Sequence, residues 1–172
     1  MRRLLRRRAI TMVAAIISFA AIPAAGIVTA SPAQASTGFL CNGNGNNHYC
    51  ADTLDLSYGT HLFLTIPASG ADFNKVDQHF TCCGGHEVYQ LKFVQDTARC
   101  VGVAAGSTAV TVRECSGGNS TNTNWAEFPQ SGGGVQWFNN PTNQWLASDN
   151  HLGHGLFVTF GCTGCFLNWF DI

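Results

Sequence analysis

The sequence predicts an all-β protein, one disulfide-stapled domain built from three repeats of about 45 residues. Three observations carry this. Short apolar runs are punctuated by Gly, Asn, Ser and Thr at strand-like spacing, and no stretch after Ser36 sustains a helical period for three turns. The stretch 89–128 recurs once further along the chain. All eight cysteines follow an export-type leader.

The stretch 89–128 shows the unit. Tyr89, Leu91 and Phe93 alternate as in a half-buried strand. A polar turn over 95–99 leads to a second strand, 100–103. Ala105, Gly106 and Ser107 turn the chain into a third, Val110-Thr-Val112, which Cys115 closes. A Gly/Asn/Ser/Thr loop then leads to Trp125 and Phe128. In the copy, 134–138 matches 89–93, Trp145-Leu-Ala-Ser148 matches 100–103, and 156–160 matches 110–112. Cys162 lies 47 residues beyond Cys115, and Trp169 lies 44 beyond Trp125.

Residues 36–88 have the length of a first copy with a weaker match. Cys50-Ala51-Asp52 stands where Cys100 stands, and 62–66 stands for 110–112. The closing aromatic is Phe73 or Phe80. Phe80 keeps the offset to Trp125 and is preferred. The expected units are therefore 36–88, 89–133 and 134–172.

Residues 1–35 read as a signal peptide: a head with Arg2, Arg3, Arg6, Arg7 and Arg8, an apolar run over 9–25 containing Pro23, and a small-x-small cleavage site, Ala33-Gln34-Ala35. Ordinary secretion is favoured over a twin-arginine route, because no well-placed consensus follows the arginines. The expected mature chain, 36–172, keeps only Lys75, Lys92, Arg99 and Arg113 against ten acidic residues, a formal charge of −6. An acidic domain with no basic stripe excludes nucleic acid as a partner, and after leader removal nothing calls for a membrane. The expected location is extracellular.

In that compartment Cys41, Cys50, Cys82, Cys83, Cys100, Cys115, Cys162 and Cys165 read as disulfides. Cys100 and Cys115 flank one β-unit and pair. Cys41 and Cys50 bracket the Asn/Gly loop and pair next. A bridge between the neighbours Cys82 and Cys83 strains the backbone, so each is expected to reach another segment. Cys162 and Cys165 are the remaining pair of candidates. Cys162-Thr-Gly-Cys165, with His151 and His154 nearby, has metal-ligand spacing, but the oxidising compartment and the lack of a second such pair favour disulfides; no metal and no cofactor are expected.

Catalysis has no motif behind it. There is no Gly-x-Ser-x-Gly elbow and no His-Glu-x-x-His helix, and the six histidines lie in loop-like stretches. The chain is therefore expected not to be an enzyme.

With these motifs in view, the mature chain resembles the ricin-type β-trefoil. Cys100-Val-Gly102, 109–112, Cys115 and Trp125 follow its pattern in the second unit, as do Trp145-Leu-Ala147, 156–158, Cys162 and Trp169 in the third. The Leu40-Cys-Asn-Gly-Asn-Gly45 segment is also similar to that of small exported actinobacterial proteins. The resemblance implies a carbohydrate-binding, lectin-like protein. In the family the Asp two residues past the first Cys of a unit holds sugar hydroxyls. That position is Asp52 in the first unit but Gly102 in the second and Ala147 in the third. The expected ligand is a neutral saccharide held by Asp52, with an aromatic face from Tyr58, His61 or Phe63. Asp52 instead serving an Asx turn is the bland counterpart. Trp125 and Trp169 are at core positions of the pattern, and Trp137 is exposed only if Phe138 faces inward. Asp149-Asn150 supplies either a shifted polar site or a turn. A secreted peptidase inhibitor and a structural or adhesion protein are the alternatives.

Overall fold

The computed structural model describes residues 36–42, 48–115 and 122–171. The expected leader, its cleavage site and most of the Asn/Gly loop after Asn42 lie outside the described residues.

Twelve strands alternate with turns: β1 Ser36–Asn42, β2 Tyr49–Thr53, β3 Leu62–Thr65, β4 Asp72–Cys82, β5 His86–Phe93, β6 Arg99–Val103, β7 Val110–Glu114, β8 Trp125–Pro129, β9 Val135–Asn139, β10 Gln144–Ala147, β11 Phe157–Thr159 and β12 Trp169–Asp171. Among the described residues the only helical element is a 3-10 turn, Pro67–Ser69. Antiparallel pairing runs β1–β4–β5–β8–β9–β12 and returns from β12 to β1, which closes a six-stranded barrel with no free edge. The hairpins β2–β3, β6–β7 and β10–β11 branch from β1, β5 and β9. Bridges His61↔Thr111, Phe63↔Gly155 and Ala109↔Phe157 join each hairpin to the other two, so the hairpins cap the barrel around a pseudo-threefold axis. This is the β-trefoil arrangement.

The indoles show the threefold most directly. Trp125 and Trp169 are fully buried. Trp125 Nε1 donates to Val101 O at 2.9 Å, and Trp169 Nε1 donates to Leu146 O at 3.2 Å. Val101 and Leu146 hold the same place, paired with Val112 and Val158. The matching residue of the first unit is Ala51, paired with Leu64. Its carbonyl accepts the backbone N–H of Ala71 at 3.0 Å. With that acceptor already satisfied, the first unit closes with an aromatic that needs no donor.

That aromatic is Phe73, not Phe80. Phe73 lies at the start of β4, one residue after Asp72, as Trp125 opens β8 and Trp169 opens β12; it is buried and packs on Phe93 with ring centroids 5.0 Å apart. Phe80 lies where β4 slips register between Asp77 and Thr81 and is only half-buried. Linear spacing favoured Phe80 because that slip lengthens the strand without moving the core.

The second unit opens at His86, ahead of the expected Tyr89. Cys83, Gly84 and Gly85 all have positive φ (51°, 92° and 98°), and this tight turn lets Cys82 pair with His86. Trp137 is buried at the core and Phe138 packs outside it against Phe128 and Trp145.

Cys41–Cys50, Cys100–Cys115 and Cys162–Cys165 are bridged. Cys41 and Cys50 are direct cross-strand partners in β1 and β2. The expectation that Cys82 and Cys83 each bridge to another segment is not met: both thiols are free. They stand at the β4–β5 turn, and the other six cysteines are taken up in pairs inside their own units. Among the described residues no helix is long and apolar enough to cross a membrane.

Candidate functional site

A concavity of about 210 Å³ opens beside the first hairpin. Its rim is the end of β2 and the following loop, Asp52 to Leu56, and its far wall comes from Ala71, Phe93 and Gln95. Local hydrogen bonding shapes the loop. Asp55 Oδ1 accepts Ser57 N at 2.7 Å and Thr60 Oγ1 at 2.8 Å, while Thr53 Oγ1 donates to Asp55 O at 2.8 Å. The backbone N–H of Ser57, with Thr60 and the Ser57 side chain, holds the Asp55 carboxyl below the usual carboxylate range. The Asx turn thus belongs to Asp55. Asp52 Oδ1 accepts only its neighbour Thr53 N, at 2.7 Å, so Oδ2 has no donor from the described residues.

Of the four residues expected to hold a saccharide, only Asp52 lines the concavity. Phe63 lies directly across the hairpin from Asp52 and bridges to Gly155. Tyr58 is exposed, with the Arg113 guanidinium 4.3 Å from its ring centre. His61 is exposed and bridges to Thr111. These last two follow the seam between β3 and β7, away from the concavity. The accessible apolar side chains beside Asp52 are instead Leu54 and Leu56, with Phe93 buried beneath the concavity. Leu54 and Leu56 are in the loop itself. Phe93 and Gln95 belong to the next unit, and no spacing rule within one repeat points to them.

The other two units have no such carboxylate. A Cβ at Gly102 would sit 2.5 Å from Arg113 Cγ and 2.9 Å from Thr123 Cγ2. Ala147 is fully buried opposite Phe157. In the third unit polar groups appear two residues later. Asp149 Oδ2 lies 2.6 Å from His154 Nδ1 and 3.6 Å from His151 Nδ1.

A second concavity, of about 300 Å³, is lined by Gly85, His86, Glu87, Glu127 and Pro129. The His86 ring stacks on Phe128 at 3.6 Å, and its Nδ1 lies 2.9 Å from Glu127 O. At the nearby turn, Cys83 Sγ lies 3.5 Å from Asn140 Oδ1. Burial, then the neighbouring Cys83, pushes the Cys82 thiol up to about 12, so Cys82 is a poor nucleophile.

No protein-family model and no curated protein sequence matches this chain. Solved structures do. A mosquitocidal holotoxin superposes with a TM-score of 0.62 at 14% identity over 80% of this chain, which covers only 17% of the toxin chain. The designed threefold-symmetric protein ThreeFoil matches with a TM-score of 0.57 at 14% identity, over 78% of this chain and 99% of its own. A chain of the cytolethal distending toxin from Actinobacillus actinomycetemcomitans gives 0.55 at 12% identity, over 78% and 90%. At these identities the likeness is one of fold. The class this chain falls in is the β-trefoil.

Proposed function

We propose that the chain is a secreted, non-catalytic trefoil of the ricin type that binds a neutral saccharide through the first unit. The observation that carries the reading is Asp52: a carboxylate with one oxygen unclaimed, at the rim of a shallow concavity that Leu54 and Leu56 also line. Such an oxygen accepts hydroxyl hydrogens in charge-assisted bonds, while the side chains of Leu54 and Leu56 cover the carbon face of a sugar ring. The site is open and small, and each bond contributes about 1 kcal/mol net, so affinity falls in the millimolar range. One unit binds, because Gly102 and Ala147 offer no acceptor.

The test is titration of the wild type and Asp52→Ala with galactose, xylose and their oligomers. Binding that the substitution abolishes supports the reading, and equal affinity removes Asp52 from the site. If no glycan binds and a secreted peptidase is inhibited, the inhibitor reading replaces it. N-terminal sequencing of protein from the medium, expected to begin at Ser36, tests the secretion.

A further inference from the structure

We propose that the β10–β11 loop binds one divalent transition-metal ion of the imidazole-preferring class, such as Zn²⁺ or Cu²⁺, through Asp149, His151 and His154. One ligand atom from each of the three lies within 4.8 Å of the others. A tetrahedral ion with bonds of roughly 2.0–2.1 Å sets its ligands about 3.3 Å apart. The observed separations from Asp149 Oδ2, 2.6 Å to His154 Nδ1 and 3.6 Å to His151 Nδ1, bracket that value. The ion takes the place of the direct contact between Asp149 Oδ2 and His154 Nδ1.

The loop is built to hold this arrangement. His151 N donates to Asp149 Oδ1 at 3.1 Å, so one carboxylate oxygen is fixed by the backbone and the other is turned to the imidazoles. Asn150 and Gly153, at φ 58° and 81°, bend the chain so that positions 149, 151 and 154 converge. The two imidazoles already stack, with centroids 5.2 Å apart. The loop ends are tied into the trefoil. Ser148 exchanges backbone hydrogen bonds with Phe166, Gly153 N donates to Leu64 O at 2.7 Å, and His154 O accepts Leu64 N at 2.9 Å. The backbone of the loop is therefore ordered before the ion binds, and the rearrangement required is that His151 Nδ1 exchanges its 2.9 Å contact with Asp149 O for the metal.

Two imidazoles with one carboxylate suit Zn²⁺ and Cu²⁺; Ca²⁺ and Mg²⁺ call for more oxygen ligands. Three protein ligands on an exposed loop leave a coordination position open to water or to a donor from a partner. The sulfurs of Cys162 and Cys165 do not take part, because they are bonded to each other as a disulfide. The site is independent of Asp52, and the proposal departs from the sequence-based expectation of no metal.

The experiment is calorimetric titration of the full chain with ZnCl₂, with Cys82→Ser and Cys83→Ser in the background so that their thiols cannot compete. Saturation at one equivalent is expected, with His151→Ala and His154→Ala each weakening binding at least about tenfold. Both histidines are exposed, so these variants keep the fold. Electron paramagnetic resonance of the Cu²⁺-loaded chain should show hyperfine coupling to two imidazole nitrogens. Absence of saturable binding, unchanged affinity in both variants, or displacement of Zn²⁺ by millimolar Ca²⁺ would overturn the proposal.

Discussion

Trp125→Phe separates the two ways this trefoil closes a unit. Trp125 is fully buried and its indole N–H donates to Val101 O at 2.9 Å inside a buried strand. The substitution leaves that carbonyl without its donor, at a cost of about 1–3 kcal/mol. It also removes three ring atoms from a closed core, which costs about 2 kcal/mol more. The expected loss is about 3–5 kcal/mol. Trp169→Phe, which breaks the 3.2 Å bond to Leu146 O, should cost about the same to within roughly 1 kcal/mol. The reverse change, Phe73→Trp, should not stabilise the first unit. Ala51 O already accepts Ala71 N, and the larger ring overpacks against Phe93 by about 1–3 kcal/mol. Urea unfolding followed by circular dichroism, with disulfides intact, measures all three. A loss below about 1 kcal/mol for Trp125→Phe, or a gain for Phe73→Trp, would refute the account of how the units close.

Four further outcomes follow from the geometry. Gly102→Asp, which places a carboxylate in the second unit at the position matching Asp52, should destabilise by about 1–3 kcal/mol and add no saccharide binding, because Thr123 Cγ2 and Asn122 O crowd the new Cβ; paired unfolding and glycan titrations check it. Peptide mapping without reduction should recover the three bridges, and a soluble alkylating reagent near pH 8 should modify exposed Cys83 before Cys82, whose thiol stays protonated. Cys100→Ser with Cys115→Ser should cost about 3 kcal/mol in thermal or urea unfolding, from the separation of 15 residues the bridge closes. The Asp55 carboxyl is held below its ordinary value, so what it contributes to stability is present above the usual Asp range and lost as pH falls through the lowered native pKa. Asp55→Asn should therefore show a flatter fall in melting temperature below about pH 4, and an unchanged slope would remove Asp55 from the acid response.

Much of the barrel is determined by sequence alone. The alternation in 89–93, the β-forming run Val110-Thr-Val112 and the recurrence of Cys115 and Trp125 at Cys162 and Trp169 are local patterns, and each reports the face a strand buries. The Cys41–Cys50 and Cys100–Cys115 bridges are legible for the same reason, since both close short segments within one unit. Tertiary structure alone decides wherever two units meet or a turn shifts the count. Phe73 rather than Phe80 closes the first unit because β4 slips register after Asp77. Cys82 and Cys83 stay free because the tight turn at 83–85 carries them away from the other bridges. Asp52 is indicated by the resemblance to the ricin-type pattern, but the concavity it lines also takes residues from the next unit, and Tyr58 and His61 follow a seam between hairpins. The gathering of Asp149, His151 and His154 depends on two left-handed residues, Asn150 and Gly153, and on ties to Leu64 and Phe166 in other strands and loops. Periodicity records which side of a strand faces the core; it carries no information about which loops close over one another, and both proposed sites depend on loops.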